Sequence, residues 1–351
     1  MNTKLYIILV NYNGHLDTIE CLESIMKQNG SNFQVIVVDN SKTECYLTQI
    51  SKWSNGQYND KINTQFPEII YPLSTKPIPS VIVNEKGFLN KDLTDKLILV
   101  KALQNKGFAA ANNIALKYIQ RFGKNEDLIW FLNNDTIISK ATMQDVVFKF
   151  NAFKGDKHKT LFGTPLLEYY DPKQIQAVGG HYNRFFGSTS HLGEGLKYHN
   201  GINTSQFNVD YPIGASMMVT NSFIKTVGLL NEDYFLFYEE LDWATRLRKK
   251  NGRVKILNVF GVLHKQGKTT NAKNKGSNSK SEFIDLLLVK NRISFTKNYY
   301  KKHIGVVIFS ILTTTILKRI IKGNIKRAIK IFNLVMKEIF LKHKKREKNS
   351  L

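Results

Sequence analysis

Leu5-Tyr6-Ile7-Ile8-Leu9-Val10-Asn11-Tyr12-Asn13 is the stretch on which the fold turns. Its apolar residues run from Leu5 to Val10 without polar alternation, as in a strand covered on both faces, and then stop at two asparagines flanking a tyrosine. From Asp17 to Gln28 the apolar positions Ile19, Leu22, Ile25 and Met26 recur at helical spacing, and Gly30 marks the stop. Phe33 to Val38 is a second buried run, ending in Asp39-Asn40-Ser41. Strand, helix, strand in this order is the unit of a parallel sheet with right-handed crossovers. The fold class is α/β, a sheet flanked by helices.

The pattern continues outward. Residues 53–96 are polar and weakly periodic and read as an insertion, with an edge hairpin around Ser80–Val83. Leu97-Ile98-Leu99-Val100 restores order, followed by a helix from Ala109 to about Phe122 and a strand from Leu128 to Leu132 that ends in Asn133-Asn134-Asp135. Ser139 or Thr142 is a candidate cap for the helix running to Phe153. Short Gly-, Tyr- and His-containing segments reach about Asn221, and Ser222–Leu230 reads as a helix. An aromatic run then opens a helix to Lys250, and Val254–Val262 reads as a strand. Residues 265–280 are Lys, Asn, Gly and Ser, a mobile loop by composition.

With 351 residues, 42% hydrophobic and 23% charged, the chain can bury a large core and is not of disordered composition. Lys and Arg outnumber acids 51 to 28, for a net charge of +23, which calls for an anionic partner. Cys21 and Cys45 have neither a metal-ligand spacing nor a disulfide framework, so a reducing, cytoplasmic setting fits. The N-terminal apolar run lacks a small-residue cleavage site and reads as a strand rather than a leader. The longest later apolar stretch, Ile304 to Leu317, contains Ser310 and Thr313–Thr315 and falls short of a spanning segment.

In an open α/β sheet, ligands bind beyond the carboxyl ends of the strands. Asn11-Tyr12-Asn13, Asp39-Asn40-Ser41 and Asn133-Asn134-Asp135 all fall at such ends. Any one of them is ordinary turn chemistry; together they resemble a site. Asp135 suits a divalent cation completed by phosphates and water, and His264 offers a nitrogen better matched to manganese than magnesium, or is a plain loop histidine. Glu239, Glu240 and Asp242 follow Tyr-Phe-Leu-Phe-Tyr at a helix start. The helix dipole and a pair with Arg246 explain Asp242. A carboxylate beside apolar rings would hold its proton more tightly, as a general base requires.

These residues together resemble glycosyltransferase family 2, in particular its rhamnosyltransferase-like bacterial members. The resemblance spans about residues 4–300 and rests on Val10–Asn13, Val37–Ser41, Asn105–Asn113, Leu132–Asp135, and Phe237–Asp242 with Arg246 and His264. It implies a GT-A fold over residues 1–300, with residues 301–351 as a basic helical tail. It implies that Val10, Tyr12 and Asp39 contact the nucleotide, with Asn105 and Asn134 near the donor. Asp135 and His264 would hold Mn2+ or Mg2+, and Glu240 would be the general base of an inverting transfer. The base position commonly carries Asp, and Asn133-Asn134-Asp135 keeps only the last acid of the family's Asp-x-Asp. Gly214, in Tyr211–Ala215, either lets the backbone approach the donor sugar or serves a packing turn.

From Lys318 onward, 12 Lys and Arg face 2 Glu, and apolar residues recur every three or four positions from Ile316 to Phe340. That is the pattern of an interfacial helix on anionic lipid, or of a helix packed on the catalytic domain. The expected partners are a nucleotide-diphosphate sugar, a glycan or lipid-linked acceptor and the inner face of the cell membrane. No nucleic-acid recognition motif accompanies the charge. Rival readings are a nucleotide-binding membrane scaffold without activity and a nucleotidyltransferase.

Overall fold

The computed structural model describes residues 3–30, 32–266 and 281–347, with side chains as far as Ile339; most of the 265–280 loop therefore lies outside the described residues. Two units are distinguished: residues 1–181, 191–235 and 239–266 form the first, and 182–190, 236–238 and 267–351 the second.

In the first unit, β1 (Leu5–Asn11), α1 (His15–Met26) and β2 (Phe33–Asp39) form the opening crossover. Every residue of β2 and all but Val10 of β1 are buried, which is why both read as unbroken apolar runs. α2 (Cys45–Ser54), the short α3 (Pro67–Ile70), β3 (Ser80–Asn84), α4 (Glu85–Asn90) and β4 (Leu97–Lys101) follow. β3 is a single strand, parallel to β4, not the edge hairpin expected there. Its alternately half-exposed residues suit an edge with one neighbour.

Next come α5 (Phe108–Phe122), β5 (Leu128–Asn133), β6 (Thr136–Ile138) and α6 (Thr142–Ala152). Neither Ser139 nor Thr142 caps α6: their hydroxyls pair with each other at 2.8 Å, and the N-cap residue is Ala141 in a left-handed conformation. Short strands β7 (Thr160–Gly163), β8 (Leu166–Glu168) and β9 (Ile175–Ala177) precede the ribbon of β10 (Gly179–Asn183) and β11 (Ser188–Leu192), whose tip groups with the second unit. β12 (Ser216–Thr220), α7 (Asn221–Val227), α8 (Glu239–Arg248), β13 (Arg253–Ile256) and β14 (Val262–His264) complete the unit. The expected strand Val254–Val262 is thus two strands in different sheets.

The main sheet runs β13-β7-β12-β5-β1-β2-β4-β3, and a smaller one runs β6-β14-β8-β9. β1 lies between β2 and β5, parallel to both, so the chain winds outward in two directions from it. The crevice at that switch point lies beyond Asn11, Asp39 and Asn133, where α/β sheets bind ligands. Trp53, Trp130 and Trp243, all with no more than 1% exposure, anchor the core.

The second unit is helical. α9 (Glu282–Tyr299) packs with a helical run over Lys301–Ile321 and a helix over Ile325–Glu347 around Val289, Ile293, Val307, Ile311, Ile331 and Val335. Arg319 clamps Asp285 through Nε at 2.6 Å and a second nitrogen at 2.5 Å. The Lys301–Ile321 run is 21 residues long with mean hydropathy 1.9, which is long and apolar enough to cross a membrane by length and composition; only 17% of that window is buried. This corrects the reading that it falls short. Its threonines weigh less than their type suggests, because Thr313 and Thr314 return their hydroxyls to the carbonyls of Phe309 and Ser310 at 2.9 and 2.6 Å.

Candidate functional site

The site grows from Asn11 at the end of β1. Its Nδ2 donates to Asp39 Oδ1 at 2.8 Å, and its Oδ1 accepts from Thr18 Oγ1 at 3.0 Å and Gly14 N at 3.2 Å. Asn134 Nδ2 reaches the same cluster through Thr18 Oγ1 at 2.9 Å. One chain of hydrogen bonds therefore links the ends of β2, β1 and β5. Register explains it: Asn11 lies opposite Asp39, and Val10 opposite Asn133.

Asp39 is fully buried and organises the loop after β2. Oδ1 also accepts from the Ser41 hydroxyl at 2.6 Å, while Oδ2 pairs with Lys101 at 2.9 Å. Lys101 sits beside Asp39 in the β2–β4 register. Tyr12 is 42% exposed, Val10 is half-buried, and Asn105 is exposed. Asn105 Oδ1 accepts from Gly107 N at 3.0 Å, and Asn40 donates to the Gly107 carbonyl at 3.1 Å, tying that loop to the end of β2. Gly107 has φ +95°, and a Cβ there would collide with the Phe235 carbonyl, which accepts from Phe108 N at 2.7 Å. This accounts for the glycine of the Asn105–Asn113 motif.

β6 and β14 pair antiparallel, Thr136 opposite His264, which brings Asp135 beside the imidazole. His264 Nε2 stands 3.2 Å from Asp135 Oδ1 and 3.2 Å from Asn133 Nδ2. Gln176 of β9 fixes the ring: its amide nitrogen donates to the His264 carbonyl at 3.2 Å, which turns its oxygen to Nδ1 at 2.6 Å. That contact makes Nδ1 a donor and leaves Nε2, beside Asp135 Oδ1, as the ring nitrogen that could face a cation. Such an arrangement, with the second ring nitrogen donating to an amide oxygen, fits a metal ligand. Among the described residues no group of three or more His, Cys, Asp or Glu side chains is gathered to enclose a cation. Two protein ligands completed by phosphate and water suit Mg2+ or Mn2+. The donor set fits such an ion. Lys265 ties the strand to α1 by pairing with Asp17 at 2.7 Å and with Glu20. Burial opposes its charge, but those two carboxylates outweigh burial and raise its pKa.

Glu239 and Glu240 begin α8, after Phe237 and Tyr238 in left-handed backbone (φ +68° and +76°). That region is rare for bulky residues. Asp242 and Arg246 form the structural pair expected of them at 2.7 Å, and Arg246 also donates to the carbonyls of Val227 and Leu229. The two glutamates differ from Asp242: the Oε2 of each is buried with no hydrogen-bond partner among the described residues. Burial pushes the Glu240 pKa up to about 7. Burial and the neighbouring Glu240 charge raise Glu239 well above the carboxylate range. A Cβ on Gly214 would stand 4.0 Å from the Glu240 carboxyl carbon. Because the next residue, Ala215, accepts from Asn133 N at 3.1 Å, Glu240 borders the same sheet edge.

No family model matches the chain. It is 22% identical over 165 residues to the low-salt glycan biosynthesis hexosyltransferase Agl10 of Haloferax volcanii, covering 46% of this chain and 50% of that protein. It is 22% identical over 272 residues to the dTDP-rhamnosyl transferase RfbF of Shigella flexneri, covering 76% of this chain and 71% of the relative. Among solved structures, GalNAc-T7 with UDP, GalNAc and Mn2+ superposes with a TM-score of 0.53 at 10% identity, over 88% of this chain and 50% of that one. The fold is GT-A. The chain thus spans half the length of Agl10 and of the GalNAc-T7 chain, and the resemblance to glycosyltransferases read from its motifs is borne out by both curated relatives.

Within the GT-A frame, sequence reasoning missed Gln176, Lys101 and Lys265. Lys101 and Lys265 each follow a strand residue already suspected of chemistry, Lys101 by register and Lys265 by adjacency to His264. Gln176 carried no signal, since β9 is three residues long and reaches His264 only through tertiary contact.

Proposed function

We propose that this GT-A chain is an inverting glycosyltransferase of the family 2 type. It would transfer a sugar from a nucleotide-diphosphate donor to a glycan or lipid-linked glycan in cell-surface polysaccharide synthesis. The observation that carries the reading is Glu240: a half-buried residue whose Oε2 is buried and unpartnered among the described residues, with a raised pKa, bordering the sheet edge that holds Asp39, Asn134 and the Asp135–His264 pair.

The acceptor hydroxyl oxygen forms a bond to the anomeric carbon while the bond from that carbon to the diphosphate oxygen breaks. The electron pair of the broken bond leaves with the nucleoside diphosphate, and the hydroxyl proton passes to Glu240. Attack opposite the leaving group inverts the anomeric centre. A base of pKa about 7 matches neutral operating pH, and such a base is typically worth roughly 10²–10⁴ in rate. Asp135 and His264 would hold Mn2+ or Mg2+, which as a Lewis acid offsets charge on the departing diphosphate. Gln176 keeps the His264 lone pair presented. Val10, Tyr12 and Asn105 would line the nucleotide side, with Asp39 shaping the loop beneath.

RfbF is by name a dTDP-rhamnosyl transferase, which supports rhamnose as the first donor to test. The basic helical unit supports a peripheral position on the cytoplasmic face of the membrane. The test is release of nucleoside diphosphate from dTDP-rhamnose and from UDP-hexoses with Mn2+. Asp135→Ala should abolish turnover, and Glu240→Gln should lower it roughly 10²–10⁴-fold. Full turnover in both variants would overturn the assignment.

A further inference from the structure

We infer that the hairpin of the second unit is a membrane-docking tip whose occupant is an anionic phospholipid surface. The inference deepens the peripheral membrane position proposed above and does not depend on the transfer chemistry. Its observation is that the apolar stripe of the C-terminal segment is divided between two duties. Ala328, Ile331 and Val335 are buried within the helical unit, as are Val307 and Ile311 of the preceding helix. Leu317, Ile320, Ile321, Ile325, Ile329 and Phe332 are all exposed, with Ile321 at 75% and Ile325 at 57%.

These six are not scattered. Residues 317, 320 and 321 share one helical face, and 325, 329 and 332 share another at the same three-to-four spacing. The turn between the helices is Lys322-Gly323-Asn324, where Gly323 at φ +72° permits a tight reversal and Asn324 N donates to the Arg319 carbonyl at 2.8 Å. Both apolar faces therefore flank one turn. Exposed apolar side chains gathered on either side of one turn point to an interaction surface.

Charge selects the occupant. Lys318, Lys322 and Lys326 are exposed around the patch, whereas Lys330 pairs with Glu282. Between Asp285 and Glu338 the sequence has no acid and 12 Lys and Arg. Two copies meeting tip to tip would bring these lysines together, whereas anionic headgroups neutralise them as the isoleucines enter the acyl boundary. Spanning is disfavoured because one face of the Lys301–Ile321 run is already packed in the helical core and Arg319 is held by Asp285.

The test is co-sedimentation of the full chain with phosphatidylcholine vesicles, with and without phosphatidylglycerol. Binding should require phosphatidylglycerol and fall about tenfold or more in Lys322→Glu/Lys326→Glu and in Ile321→Glu/Ile325→Glu, since one basic residue near such a surface is worth about a fivefold change in partitioning. Ile321→Trp supplies a direct probe, because Trp53, Trp130 and Trp243 are buried and their emission gives a constant background; the added tryptophan's emission should shift to the blue on vesicles. Nucleoside diphosphate release without vesicles should be unchanged in all these variants, so failure of the tip and failure of the transferase reading are separable. Unchanged binding or unchanged emission would overturn the inference. So would resistance to alkaline carbonate washing, which indicates spanning, or a wild-type dimer that Ile321→Glu/Ile325→Glu dissociates, which indicates a second copy.

Discussion

Replacing Glu240 with glutamine removes one ionisable proton site and almost no volume, so it separates the chemistry of that carboxyl from its packing. Two opposite effects are expected. As a general base Glu240 must be ionised, and with a pKa of about 7 its ionised fraction rises from about one-tenth at pH 6 to about nine-tenths at pH 8. Wild-type kcat/KM should climb about tenfold over that range. Glu240→Gln should lose roughly 10²–10⁴ in kcat and the dependence on pH with it. Stability should move the other way. A carboxyl whose folded pKa lies above its unfolded value of 4.5 contributes nothing adverse below 4.5, and its ionisation lowers stability as pH rises toward 7. Keeping the ionised carboxylate in the fold at pH 8 costs about 3 kcal/mol. Glu240→Gln should therefore raise Tm by several degrees at pH 8 and by little at pH 5. The assays are initial rates of nucleoside diphosphate release and thermal melts across pH. A variant that keeps the pH-dependent rate, or that melts lower at pH 8 than wild type, would refute the role given to burial.

Three further outcomes follow from specific contacts. Gln176→Leu frees the His264 ring and should weaken Mn2+ activation about 10–100-fold, read as the metal concentration for half-maximal rate, with kcat at saturating metal largely kept. Gly107→Ala forces a Cβ onto the Phe235 carbonyl at φ +95° and should cost about 1–3 kcal/mol in chemical denaturation. Lys101→Met leaves Asp39 fully buried without its cation and should cost about 3–5 kcal/mol, whereas Lys101→Arg should lose less.

The parts of this molecule that could be read from sequence are those whose burial is complete. β1, β2, β4 and β5 are covered on both faces, so each spells an apolar run that ends where solvent and ligand begin. Asn11, Asp39, Asn134 and Asp135 were visible as the polar letters after those runs, and the structure joins them in space. His264 was visible as a candidate nitrogen ligand but equally as a loop histidine, because β14 has three residues and no periodicity. Gln176 and Lys101 were not visible: one acts from a three-residue strand across the smaller sheet, the other through sheet register, and neither relation is written in local spacing. The tail pattern concealed a division of labour, since helical periodicity identifies an apolar stripe but not which of its residues a neighbouring helix covers. Ala328 and Ile329 are adjacent in sequence, yet one is 3% exposed and the other 54%.

The central claim is that donor, metal pair and base meet at one sheet edge. A crystal structure of the chain with dTDP and Mn2+ tests it most directly. The ion should lie between the diphosphate and the Asp135 and His264 side chains, the nucleobase beside Tyr12 and the loop after Asp39, and the Glu240 carboxyl facing the space beyond the terminal phosphate. A nucleotide bound away from Asn11 and Asp135, or a diphosphate from which Glu240 is walled off by the Tyr211–Ala215 segment, would contradict it.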